Sequence, residues 1–262
     1  MLCVKEVAGG YGARDILSGL SFTLEAGRVV SILGANGSGK STLLKMIIGA
    51  LPYRGEIFLG GREAKTLRAS KRAELVAYVP QSYLIPFEFS VLEVVLMGRF
   101  RESPFGFGYS KEDRRIALEA LERIGAQTLI PRVYRELSGG ERQLVLLAQA
   151  LAQNSSMILM DEPVTGLDFG NQRRLLSLMG ELAGEGKSII QTTHYPDHAL
   201  EVSHQVIWIE KGEILAQGSP RETITPQRIY QVYGVETELV NHPRGGDRLV
   251  TPSIRFEREG IA

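Results

Sequence analysis

The chain has 262 residues, 44% hydrophobic and 23% charged, with 30 Lys plus Arg and 30 Asp plus Glu that cancel to a formal net charge of zero. That balance argues against a nucleic-acid partner, which calls for a basic excess or stripe, while the apolar content suffices for one large domain or a domain carrying a subdomain. The single cysteine, Cys3, suits a reducing compartment, and the apolar runs stop at strand length, so no internal disulfide, signal peptide or membrane-spanning helix is expected.

The first stretch reads as β. Leu20, Phe22 and Leu24 alternate with polar residues, and residues 29–33 form a continuous apolar run, as a strand buried on both faces would. Residues 34–40 interrupt it, and 41–48 have helical character up to Gly49. Further strands are predicted at 55–59 and 75–79, around the Gly60-Gly61 turn. Beyond Pro80 the spacing turns helical, over 91–97 and 111–124, with a Gly-, Phe- and Pro-rich loop at 103–108 between them. A third helix should start near Glu141 and run through Gln153.

Strands return at 157–160, 188–193 and 205–209, with a helix at about 172–185. This alternation predicts an α/β fold whose largely parallel sheet is covered by helices. A helical block, about 82–155, is expected to be inserted into a domain spanning 1–220. Residues 221–262 form a mixed C-terminal extension past Gly218-Ser219-Pro220.

Gly34-Ala35-Asn36-Gly37-Ser38-Gly39-Lys40-Ser41-Thr42 satisfies the phosphate-loop pattern G-x-x-x-x-G-K-[ST], with an apolar strand before it and a helix after. Glycines let the backbone curl so that successive N–H groups face a phosphate, and the helix N-terminus adds positive potential. Lys40 is placed to reach the β- and γ-phosphates and the Ser41 hydroxyl to ligate Mg²⁺. The loop alone implies binding of a nucleoside triphosphate, which kinases, GTPases and motor ATPases share.

The strand at 157–160 ends in Asp161-Glu162-Pro163. It delivers two adjacent carboxylates to the edge where α/β sheets bind ligands. Successive side chains diverge along a strand, so the two can do different work. Asp161 can orient Mg²⁺ through water, and Glu162 can face the γ-phosphate and take a proton from the attacking water.

Leu137-Ser138-Gly139-Gly140-Glu141-Arg142-Gln143 resembles the signature sequence of the ATP-binding-cassette (ABC) ATPases. Ser138, Gly139 and Gly140 open a helix whose N-terminus can receive an anion; Glu141 stands too near Ser138 to be expected in a capping box. The resemblance implies a P-loop NTPase (RecA-like) core, an inserted α-helical subdomain and an N-terminal antiparallel β region. It also implies that the signature meets the γ-phosphate held by a second subunit, so that a head-to-tail homodimer closes two sites with ATP between them.

Other family motifs follow in order. Gln81 resembles the Q-loop glutamine, which joins the Mg²⁺ shell and senses the membrane partner; His194 resembles the switch histidine that holds the γ-phosphate and attacking water. Tyr11 resembles the aromatic that stacks on adenine, its plain alternative being a tyrosine that closes a hairpin. Asp168 resembles the D-loop aspartate that links the two sites; the preceding Val164-Thr165-Gly166-Leu167 departs from the usual pattern, and Gly166 is expected to loosen it.

The resemblance therefore implies an ATPase subunit that works with two permease subunits, and indirectly a substrate-binding protein, at the cytoplasmic face of the inner or plasma membrane. Residues 90–99, 168–172 and 233–236 resemble importers of metal chelates such as ferric siderophores, haem or cobalamin. Molybdate or tungstate importers, a two-component exporter and a non-transport ABC ATPase are the alternatives. The apolar loop at 104–109, with Phe105, Phe107 and Tyr109, is a candidate contact with the permease, an internally packed loop being the equal alternative.

Overall fold

The computed structural model describes residues 1–12, 14–81, 87–99, 108–241 and 246–251. The chain opens with β1 (Leu2–Tyr11), β2 (Arg14–Leu24) and β3 (Val29–Leu33), enters α1 (Lys40–Ile47), and returns through β4 (Arg54–Leu59), β5 (Arg62–Glu63) and α2 (Ala69–Leu75) to β6 (Val76–Val79). Helices α3 (Val91–Leu96), α4 (Lys111–Ile124) and α5 (Gly139–Gln153) follow. Then come β7 (Met157–Asp161), α6 (Phe169–Gly184), β8 (Ser188–Thr192), α7 (Pro196–Val202), β9 (Gln205–Glu210) and β10 (Glu213–Gly218). The chain ends in α8 (Pro220–Thr223), α9 (Pro226–Tyr233) and a hairpin of β11 (Glu238–Asn241) and β12 (Asp247–Val250).

Six strands form the central sheet, in the order β10-β9-β3-β8-β7-β6. Every neighbouring pair from β9 to β6 is parallel, and only β10 runs against its neighbour. β3, β7 and β8 are buried at every position, the reason their sequences show no alternation of apolar and polar residues. The two faces still sort by period two. Met157 and Leu159 join one core with Val30 and Ile32, and Ile158 and Met160 join the other with Val29.

The first core lies under a separate antiparallel sheet, β2-β1-β4-β5, with Leu20, Phe22 and Leu24 turned inward together with Leu43 and Leu44 of α1. The second lies under α3, α4, α5 and α6. The expected fold class is what the chain adopts: a mostly parallel sheet with helical cover and an N-terminal antiparallel sheet.

Departures from the expected elements have local causes. α2 was not foreseen, because none of its residues is buried and it shows no apolar stripe, although its composition favours helix. α5 and α6 begin two or three residues earlier than their apolar spacing suggests, because Ser138 and Asp168 cap them with their side chains. Of the loop at 103–108 only Gly108 is described; Phe100, Phe105 and Phe107 lie outside the described residues, while Tyr109 packs on the helical core.

Candidate functional site

β3 carries the chain to Leu33, and the phosphate loop leaves its C-terminal end. Gly34 has φ 155, and a Cβ there would stand 2.2 Å from the Ile209 carbonyl oxygen, so no other residue fits beside β9. Gly39 takes φ 106 as the N-cap of α1, and no side chain caps the helix, which leaves its first amides free for an anion.

Lys40 is only 5% exposed. Its Nζ donates to the loop's own carbonyls, Gly34 at 2.8 Å and Ala35 at 3.0 Å. Burial pulls the ammonium below the ordinary lysine range, against the opposing influence of the Glu162 and Asp161 charges. Ser38 is buried, and its hydroxyl has no partner among the described residues.

β7 ends beside this loop, and its two carboxylates diverge as strand geometry requires. Asp161 turns inward. Its Oδ1 accepts hydrogen bonds from Ser41 Oγ (2.8 Å) and Thr192 Oγ1 (2.7 Å), and its Oδ2 accepts one from the Tyr78 hydroxyl (3.3 Å). Burial, and after it the Asp161 charge, raises the Tyr78 phenol well above the usual tyrosine range, so this donor keeps its proton.

Glu162 turns the other way, in the left-handed region at φ 47, an uncommon conformation for a residue with a side chain. The Thr192 hydroxyl holds it there by accepting its backbone N–H at 2.9 Å. Glu162 Oε2 accepts from Gln81 Nε2 at 2.8 Å and from Thr165 Oγ1 at 3.4 Å, and lies 3.5 Å from His194 Nδ1. The His194 ring in turn rests on Tyr195, with centroids 4.1 Å apart.

Gln81, Lys40, Ser41, Asp161, Glu162 and His194, drawn from widely separated stretches of chain, thus meet at the C-terminal ends of β6, β3, β7 and β8. Tyr11 stands at the end of β1, 49% exposed, with Lys45 of α1 donating to its hydroxyl at 3.2 Å and lying 5.7 Å from its ring centre.

Ser138, Gly139 and Gly140 lie apart from the phosphate loop. Among the described residues, no hydrogen bond or ion pair joins them to it. Here one expectation is corrected: Ser138 is the N-cap of α5, so Glu141 occupies the third helical position and closes a capping box, its Oε2 accepting the Ser138 amide at 2.7 Å. The Ser138 amide, with the Arg132 charge behind it, holds the Glu141 carboxyl below the usual range.

Gly166 has a defined place beside the signature helix. At φ 80 it makes a left-handed turn, and its carbonyl packs so closely on Gly140 that a Cβ there would approach to 2.6 Å. Asp168 caps α6 within its own chain, accepting the Asn171 amide at 2.8 Å and its side-chain amide at 2.7 Å. Two contributors escaped sequence reasoning, Tyr78 and Thr192. A polar residue within an apolar strand is the only trace they leave.

The sequence profile of the ABC transporter family matches residues 17–165. The iron(3+)-hydroxamate import ATP-binding protein FhuC of Bacillus subtilis (strain 168) is 36% identical over 246 residues, covering 93% of this chain and 91% of that one. A solved structure described as a metal-chelate type ABC transporter, in an inward-facing conformation, superposes with a TM-score of 0.82 at 29% identity, covering 96% and 97% of the two chains. A dimeric ATP-binding cassette in a post-hydrolysis state, bound to ADP and Pi, superposes with a TM-score of 0.75 at 29% identity, over 84% of this chain and 99% of that one.

Proposed function

Since the chain belongs to the ABC transporter family, we propose that it is the ATP-hydrolysing subunit of an importer that takes up a metal chelate of the ferric siderophore, haem or cobalamin type. The observation that carries the reading is the meeting of the Lys40 ammonium, the Ser41–Asp161 pair and a separately held Glu162 carboxylate at one sheet edge. In this reading residues 34–42 wrap the phosphates of ATP. Lys40 exchanges the Gly34 and Ala35 carbonyls for phosphate oxygens, a swap of neutral for charged acceptors that favours the bound state. Tyr11 stacks on the base.

The donors beside the loop are hard oxygens, Ser41 Oγ, Asp161 carboxylate and Gln81 carbonyl, and they fit Mg²⁺. Ser41 and Gln81 would hold it directly and Asp161 through water, where the ion offsets phosphate charge. Glu162 takes the proton of the attacking water, and His194, 3.5 Å away, holds that water and the γ-phosphate. Gln81 donates to the same Glu162 oxygen, so movement of Gln81 frees the base and links hydrolysis to whatever Gln81 senses.

Ser138, Gly139 and Gly140 complete the site of a second copy, and Asp168 lies at the junction of the two. A head-to-tail homodimer follows, mounted on two permease subunits fed by a substrate-binding protein. No helix among the described residues is long and apolar enough to cross a membrane. In this reading the dimer sits at the cytoplasmic membrane face through its permease. Residues 1–220 are the cassette, with about 82–155 as its helical insertion and 221–262 as an extension. Vesicles carrying the chain with its permease should take up an iron-loaded siderophore, haem or cobalamin only with internal MgATP; uptake of molybdate alone would overturn the substrate assignment.

A further inference from the structure

The C-terminal stretch around Tyr233-Gly234-Val235-Glu236 has no part in the chemistry so far, yet its helix ends against the phosphate loop. α9 is capped at its start by Thr225, whose hydroxyl accepts the Arg228 amide, and at its end by Gly234 in the left-handed conformation. Ile229, Val232 and Tyr233 pack into a small third core with Leu33, Val206 and Trp208. The Tyr233 and Trp208 rings lie 6.0 Å apart, inclined by 59°. Trp208 is the register partner of Leu33 in the parallel β9–β3 ladder, and Leu33 immediately precedes Gly34. One continuous stack, from α9 through Trp208 to Leu33, therefore backs the first residue of the loop.

The Tyr233 hydroxyl is buried and closes no hydrogen bond of ordinary geometry among the described residues. The groups acting on it are the Gly34 backbone amide and, beyond it, the Glu162 carboxylate; burial pushes the phenol up to about 12, so it is a neutral hydroxyl at physiological pH. A buried hydroxyl without a partner is costly and calls for a state in which it is paired. The loop holds a second such group, Ser38 Oγ. Its present shape is tied by Lys40, which occupies the Gly34 and Ala35 carbonyls. A phosphate bound in the loop would draw Lys40 away and release that tie.

We propose that Tyr233 is a positioning residue for the nucleotide site: its hydroxyl accepts the Gly34 N–H in the nucleotide-bound loop and couples the C-terminal extension to ATP. The extension also grips the chain just after His194, where Asp197 of α7 accepts the Leu249 amide at 2.9 Å. The coupling is reciprocal, so nucleotide must steady α9 as much as Tyr233 steadies nucleotide.

The proposal rests on residues 34–42 being the ATP site, and Tyr233→Phe separates the two. The change removes one oxygen and keeps the ring on Trp208. Calorimetry with MgATP should show affinity weakened by about three- to tenfold, as loss of one net hydrogen bond gives. KM should rise with kcat within about twofold, and the melting temperature of the nucleotide-free chain should be unchanged. Trp208 is the only tryptophan, so its emission reports the same stack. It should respond to MgATP in the wild type and respond less in Tyr233→Phe.

Wild-type affinity and emission response in the variant overturn the proposal. A wild-type chain that binds no MgATP removes the site assignment and the proposal together. Should the variant fail to fold, amide hydrogen exchange over residues 226–233 of the wild type decides. Slower exchange with MgATP supports the coupling, and unchanged exchange overturns it.

Discussion

Replacing Thr192 by Val tests whether one hydroxyl holds the two carboxylates in place. Thr192 is fully buried, and its Oγ1 serves both sides at once, donating to Asp161 at 2.7 Å and accepting the Glu162 amide at 2.9 Å. Valine keeps the shape and the β-branch but leaves the amide unpaired, at a cost of about 1–3 kcal/mol. It also deprives a buried carboxylate of one donor, about 1.5–3 kcal/mol for a charged acceptor, with the lower end apt because Ser41 and Tyr78 remain. Together the loss of stability should be about 2–5 kcal/mol, read as a lowered denaturation midpoint at unchanged slope. Hydrolysis should fall at least about tenfold, since the hydrogen bond to the Glu162 amide, which steadies that residue at its uncommon φ, is then lost. Thr192→Ser, which retains the hydroxyl, should recover most of both. A Val variant within about 0.5 kcal/mol of wild type, the range of an ordinary surface change, would refute the bridging role.

Glu162→Gln should bind ATP yet hydrolyse it about 10²–10⁴-fold more slowly, as loss of a general base does, and should accumulate as an ATP-bound dimer on size exclusion; near-normal steady-state turnover would remove Glu162 from the role. Lys40→Ala should weaken MgATP binding itself in calorimetry, because the ammonium offsets phosphate charge before as well as during reaction; unchanged affinity would contradict this. Ser138→Arg and Lys40→Ala chains, each inactive alone, should regain partial activity or ATP-bound dimer when mixed, since one of the two composite sites keeps both residues. Differentially tagged heterodimers that recover nothing would leave the shared site without support.

What the sequence by itself determined is contiguous along the chain. Residues 29–47 encode strand, glycine-rich turn and helix in one stretch, with Gly34 and Gly39 where the Ile209 carbonyl of β9 and the Leu17 side chain of β2 leave no room for a Cβ, so the phosphate loop could be read without knowing its neighbours. The same holds for the acidic end of β7 and the glycine-led start of α5. Even there the capping of α5 departs from expectation: with Ser138 as N-cap, Glu141 is the third helical residue and reaches back to close the box.

The tertiary structure decided which separated residues meet. Asp161 finds Thr192 because β7 and β8 run parallel with those two residues in register, and neither sequence contains that alignment. Tyr78 reaches Asp161, and Tyr233 packs behind Leu33 through Trp208, only because strand order sets β6 beside β7 and β9 beside β3. Strand order and register are chosen by how two cores close on opposite faces of one sheet, a balance over the whole chain that local periodicity does not carry. α2 shows the converse. With no buried face, it leaves no periodic trace, and its place is set by the strands it joins.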